Sequence, residues 1–203
     1  MAEHGLAGLT AGRGDLRPAL GVVALLALTT ALALRSLRDQ TRATRRLSAQ
    51  VQAITAPSPP ALAQAVATAG LNGRVDLVQA DEPFSFAYGL RRPRVALSTG
   101  LLDGAAPEEL LAVLAHERYH LRHHDPLKVV AARAASAAYF FLPALHGLRR
   151  RYAAASELAA DRRAVRDHGR SALVGALFRT VRGPAWEELS TAAAIGGPEL
   201  LDI

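Results

Sequence analysis

Pro107-Glu-Glu-Leu-Leu-Ala-Val-Leu-Ala-His-Glu-Arg-Tyr-His-Leu-Arg-His123 is the stretch on which the reading of this chain turns. Pro107 suits a first helical position, and Glu108 and Glu109 put negative charge where a helix dipole favours it. Leu110, Leu111, Leu114 and Leu121 then recur at helical spacing, while Val113, His116 and His120 share another face. Residues 116–120 spell HExxH. At i and i+4 the two imidazoles stand one above the other, so both can grip one metal ion from the same side. Glu117 follows the first histidine directly and is placed to reach a water on the ion's open side as general base.

Two histidines leave a hydrolytic zinc site one ligand short. The pattern HExxHxxGxxH fails, because His123 and Pro126 stand at the glycine and third-histidine positions, and HxxEH is absent. With no cysteine in the chain, a thiolate site is excluded, which leaves carboxylates or other histidines. Glu157 is the best candidate. Residues 149–168 read as a helix closed by Gly169, with Glu157, Asp161, Ala164 and His168 on one face. Asp161 is placed to accept the free ring N–H of a ligand histidine. His168 lies eleven residues beyond Glu157, about 16 Å along the axis, too far for the same ion. His123 and His124 suit a helix C-terminus, and Asp125 before Pro126 reads as the cap of the following helix.

At these residues the chain resembles the membrane-associated gluzincin metallopeptidases of BlaR/MecR type and Ste24/HtpX type. Phe84–Gly89, Pro93–Ser98, Gly100–Leu102, Glu108–Leu110, HExxH, Asp125-Pro126 and Glu157–Asp161 follow in that group's order, covering about residues 61–170. Phe140-Phe-Leu-Pro143 looks more like the regulatory BlaR/MecR branch, whereas Ala160 before Asp161 matches the Ste24/HtpX pattern. The resemblance implies one Zn2+ per chain held by His116, His120 and Glu157, with Glu117 as base and Asp161 as supporting carboxylate. It also implies that the strand at 84–88 borders the cleft, where substrate adds as an extended strand. A protein or peptide substrate is expected, either a cytoplasmic transcriptional repressor or a misfolded membrane protein.

Half of the 203 residues are hydrophobic and the formal charge is +6, carried almost wholly by arginine, since Lys128 is the one lysine. The arginines are dispersed among acids with no interleaved aromatics, so a nucleic-acid partner is not expected. Residues 18–34 contain no charge and are dominated by Leu, Ala and Val, enough to span a bilayer at the short limit. Arg35, Arg38, Arg42, Arg45 and Arg46 follow, against Asp39 alone, which directs the C-terminal side to the cytoplasm. Ala31-Leu-Ala33 resembles a signal cleavage site, but the arginine run opposes export. The second apolar stretch, 129–145, does not count as a span. Only 36 residues separate His120 from Glu157, whereas a two-span hairpin needs about forty apolar residues. That stretch is expected to pack on the catalytic helices or dip into the bilayer surface.

The fold expected is α+β, mostly α: a zincin-like domain with a small sheet after one transmembrane helix. Its parts are a tail at 1–17, the span at 18–35, an arginine-rich helix and Pro-rich linker at 36–60, the metallopeptidase domain at 61–182 and a tail at 183–203. Strands are expected at 74–79, 84–88 and 94–98, with helices at 61–69 and near 171–181. The function expected is a single-pass, membrane-anchored zinc endopeptidase with its catalytic domain in the cytoplasm. A zinc-bearing module without proteolytic activity and a basic membrane-tethered adaptor with an accidental motif are the alternatives. Stoichiometric zinc separates the last from the others, and Glu117→Gln separates the first two.

Overall fold

A computed structural model describes residues 16–180. The expected tails lie, apart from Leu16 and Arg17, outside the described residues. Helix α1 runs unbroken from Leu16–Ala53, because neither glycine nor proline occurs between Gly21 and Pro57. The expected span and the expected arginine-rich helix are thus one rod, about 57 Å long at 1.5 Å per residue. Thr29, Thr41, Thr44 and Ser48 turn their hydroxyls onto carbonyls three or four residues back, so they add no break. Its apolar half leaves Leu20, Val23 and Leu26 at least 61% exposed and is long and apolar enough to cross a membrane. A core helix of a soluble domain would bury those side chains, so this exposure sets α1 apart from one.

Beyond α1 come β1 (Thr55–Ala56), α2 (Pro60–Thr68), β2 (Val75–Val78), β3 (Ser85–Tyr88), β4 (Arg94–Ser98), α3 (Thr99–Gly104) and α4 (Pro107–His123). Helices α5 (Asp125–Ala138), α6 (Pro143–His168) and α7 (Arg170–Thr180) complete the described chain. This is the α+β, mostly helical architecture that the sequence implies. The sheet order is β1-β2-β4-β3, with β2 and β4 parallel and both outer strands antiparallel to their neighbours. Strand β3 is therefore an edge. Asp76 of β2 holds it there, accepting hydrogen bonds from Tyr88 of β3 and from two guanidinium nitrogens of Arg94 of β4. Burial raises the Asp76 carboxyl, yet Arg94 and Tyr88 outweigh it and leave the group below the usual carboxylate range.

The main core gathers Leu62 and Val66 of α2, Leu77 of β2, Val95 and Leu97 of β4, and Leu110, Leu114 and Leu121 of α4. Helix α4 is thus clamped between the sheet and the later helices, with Leu110, Leu114 and Leu121 of its stripe buried and Leu111 half-buried. The C-terminal end of α1 joins a second cluster, where Val51 meets Val78, Tyr88 and Ala96. Farther up, α1 packs along α5, and Arg133 donates to the Gln40 side chain at 3.2 Å. Because Asp125 begins α5 beside the α4 terminus, α5 must run back along α1 towards its apolar half. Tyr139, Phe140, Phe141 and Leu142 then form an exposed turn at 45–54% exposure, level with the end of the apolar segment. The apolar stretch 129–145 is therefore split into all but the first four residues of α5, this turn and the first residues of α6.

Two elements escape the sequence reading. Strand β1 is two residues long, too short for any alternation to register. Helix α3 is set by Ser98, whose hydroxyl oxygen accepts from the Leu101 amide at 3.1 Å and from the Phe84 amide at 2.9 Å. Beside it, Thr99 exchanges hydrogen bonds with the Ala80 backbone, which draws residues 80–81 against Gly100.

A β-carbon at Gly100 would collide with the backbone carbonyl of Asp81, whereas one at Gly147 in α6 meets nothing within 4 Å. Gly100→Ala is expected to destabilise the domain by about 1–3 kcal/mol. Gly147→Ala should stabilise it by about 0.5–1 kcal/mol through helix propensity. Chemical denaturation in detergent checks both, and equal midpoints for the two variants would contradict the packing described.

Candidate metal centre

Helices α4 and α6 pack antiparallel, since His116 meets Asp161 while His120 meets Glu157. The Nε2 atoms of His116 and His120 lie 3.1 Å apart, and the Glu157 carboxylate oxygens lie 3.5 Å from the first and 3.7 Å from the second. One donor atom from each residue fits within 4.8 Å of the others. Three elements of local sequence make this possible. The i, i+4 spacing stacks the imidazoles, the leucine stripe fixes α4 in rotation, and Ala160 and Ala164, fully buried, let α6 approach closely. His116 and His120 are largely covered, whereas Glu157 is exposed on its outer side.

Each imidazole is also held from behind. His116 Nδ1 lies 3.0 Å from Asp161 Oδ1, and His120 Nδ1 lies 2.8 Å from Asp125 Oδ2. A carboxylate on Nδ1 keeps the proton there and turns the Nε2 lone pair towards the shared point. The expectation for Asp125 needs correction. His124, in the left-handed conformation at φ 53°, is the residue preceding α5, and Asp125 makes no capping bond. The abrupt turn instead swings the buried Asp125 carboxylate back under His120. Ser156 donates to it at 2.6 Å and Tyr152 at 3.1 Å, with the Lys128 ammonium 3.4 Å away. Burial raises the Asp125 pKa, but Ser156, His120 and Tyr152 bring it below the ordinary value. Asp125, Tyr152 and Ser156 were not singled out for the site by sequence; an Asp five residues after the second histidine, next to a turn, was the signal available.

Glu117 leaves the same helix towards the sheet. It is 5% exposed, and its carboxylate accepts a hydrogen bond from Ser85 Oγ of β3 at 2.7 Å. The edge strand, rather than a neighbour on α4, therefore orients it. Ser85 is the other residue that sequence reading missed, because alternation in Ser85–Tyr88 identifies a strand without saying what its polar member touches. The Tyr119 and His120 rings stand perpendicular, and the His123 Nδ1 lies 2.8 Å from the Tyr119 carbonyl.

Four carboxylates, from Glu117, Asp125, Glu157 and Asp161, thus surround two imidazoles. Burial alone would lower the His116 pKa, but the hydrogen bond it donates to the Glu157 carboxylate and the charges of Glu117, Glu157 and Asp161 push it up to about 9. The same contact with His116 holds the Glu157 carboxyl below its usual range. Such a pocket favours positive charge at its centre, whether a proton or a cation. Two imidazoles and a carboxylate are the donor set of a three-ligand hydrolytic metal site, so the residues present fit a divalent ion with an open position.

Comparison with known proteins points to a family of metallopeptidases. The family described as BlaR1 peptidase M56 matches residues 19–196. The chain is 37% identical over 71 residues to protease HtpX homolog 2 of Methanosarcina mazei, covering 34% of this chain and 24% of that protein. It is 42% identical over 67 residues to the protease HtpX homolog of Desulfotalea psychrophila, covering 32% and 23%. Against protease HtpX of Legionella pneumophila it is 44% identical over 68 residues, covering 32% and 24%. The chain therefore spans about a quarter of the length of the curated relatives it matches. With a match over most of its length, this chain belongs to the BlaR1-type M56 family of membrane-associated metallopeptidases.

Proposed function

We propose that this chain is a membrane-anchored zinc endopeptidase in which His116, His120 and Glu157 hold the ion and Glu117 is the general base. The observation that carries the reading is the convergence of two Nε2 atoms and one carboxylate, each imidazole backed by its own aspartate. Zinc in that position would supply Lewis acidity to a water and to the scissile carbonyl. The remaining work falls to the chain. Glu117, steadied by Ser85, takes a proton from the attacking water and returns it to the departing amide nitrogen. Asp125 and Asp161 keep the imidazoles in the ligating tautomer. The free edge of β3 accepts substrate as an added strand, which sets the scissile bond beside Glu117.

The substrate is polypeptide, and the arginines that follow the apolar half of α1 put the catalytic domain on the cytoplasmic side. A cytoplasmic repressor or a misfolded membrane protein fits that location. The proteome of cells carrying Glu117→Gln, compared with wild type, distinguishes them by which proteins change in length or abundance.

Purified chain should contain one zinc per molecule by metal analysis, and chelation should abolish peptide cleavage. Glu117→Gln is expected to retain the metal while losing about 10²–10⁴-fold in cleavage rate. Retained cleavage, or protein free of zinc, would overturn the assignment. Asp125→Asn and Asp161→Asn should each weaken zinc affinity about 10–100-fold with the fold intact by circular dichroism.

The raised His116 pKa gives a pH dependence in the metal-free chain. The folded value of about 9 exceeds the unfolded value of 6.5, so the protonated group contributes stability below pH 6.5 that is lost as pH rises through 9. Metal uptake must displace that proton. Zinc affinity should therefore rise about tenfold per pH unit between 7 and 9, with one proton released per ion in calorimetry across buffers.

A further inference from the structure

On the far side of the α4–α6 contact lies a groove of about 300 Å³ lined by Arg118 and Arg122 of α4 and by Arg162, Arg163 and Arg166 of α6. Five guanidinium groups on one surface is a costly arrangement unless something negative meets them. The contacts within the fold do little to neutralise it. Arg163 pairs with Asp167 at 2.8 Å, and Arg118 donates to the Ala69 carbonyl at 2.8 Å. Arg122, Arg162 and Arg166 have no ion pair among the described residues and are exposed. Burial lowers the Arg118 pKa most, and the charges of Arg122 and Arg163 add to it against the opposing pull of Asp167.

We propose that this groove is an exosite for an acidic stretch of polypeptide, engaging the part of a substrate that flanks the metal centre. Spacing favours a chain over a small anion. Arg118 and Arg122, like Arg162 and Arg166, stand one turn apart, about 6 Å in rise. In an extended strand, side chains on the same face repeat about every 6.6 Å, so successive acidic residues match both rows. A single phosphate reaches only one row position at a time. Continuity with the site favours substrate. Tyr119 and His123, stacked with ring centroids 3.9 Å apart, also line the groove, and Tyr119 touches His120 on its other side. The groove thus begins one aromatic ring from the ligand pair, on the flank of α4 opposite Glu117 and β3. Distance disfavours a lipid headgroup. Arg162 lies nineteen residues along α6 from Pro143, about 28 Å from the exposed turn at Tyr139–Leu142. The assignment to substrate rests on the peptidase reading; the anion-binding surface itself does not.

Full-length chain in a neutral detergent should bind a fluorescent deca-glutamate peptide and ignore a Gly-Ser peptide of equal length. The combined variant Arg122→Gln, Arg162→Gln, Arg166→Gln changes only exposed side chains and is expected to reduce that affinity at least about tenfold, with zinc content unaltered. Raising salt should weaken the wild-type interaction and leave the variant nearly unaffected. Excess inorganic phosphate or glycerophosphoserine should compete only weakly. An unchanged affinity in the variant overturns the proposal. So does strong displacement by either small anion, which would make the occupant a free phosphate or a headgroup. Adding the acidic stretch to a cleavable peptide should lower KM for the wild type alone, with kcat constant. Binding that survives while no peptide is cleaved would remove the peptidase reading and leave the exosite standing as an acidic-peptide site.

Discussion

The antiparallel contact between α4 and α6 is the constraint from which the rest of the structure takes its meaning. Neither helix carries a complete site. On α4 the imidazoles have their own backbone beneath them and no acidic ligand; on α6 the acids have no nitrogen donor. Buried alanines at 160 and 164 permit close approach, and the leucines at 110, 114 and 121 prevent α4 from rotating away. Much of the core is, in effect, a device for holding one helix at a fixed azimuth.

The arrangement also explains how a negative pocket persists inside a strongly basic chain. Carboxylates crowded around two imidazoles repel one another and gain by gathering any positive charge. Two are stabilised from outside, Asp125 by Ser156 and Tyr152 and Glu117 by Ser85, while Asp161 and Glu157 lie against the imidazoles themselves. The hydroxyl donors come from two separate elements, β3 and α6, and Asp125 itself from a third, α5. The centre is therefore sensitive to the tertiary fold as a whole rather than to one helix.

Sequence reading reached the parts that depend on local periodicity. A four-residue interval places His116 above His120, and Glu157 above Asp161, whatever surrounds them, and the alternation at 84–88 and 94–98 identifies strands. It failed where a residue had two plausible local uses. Asp125 before a proline looks like a cap, and only the left-handed turn at His124 redirects its carboxylate. Pro143 looks like an interruption but serves as the first residue of α6, so that helix begins six residues before the expected start at Arg149. The arginines at 118, 122, 162, 163 and 166 look dispersed along the chain. Their concentration exists only after two helices lie side by side and bring together arginines 44 residues apart in sequence, such as Arg118 and Arg162.

The uninterrupted run of α1 fixes a height. From Leu34, where the uncharged segment ends, to Ala53 beside the sheet are nineteen helical residues, about 28 Å of stiff spacer. With α5 braced along it and Val51 seated among sheet residues, the rod has no joint at which to fold down. The cluster of His116, His120 and Glu157 is consequently carried at a set altitude above the apolar half of α1, and under the proposed peptidase reading chains would be selected first by how far they project from the lipid surface.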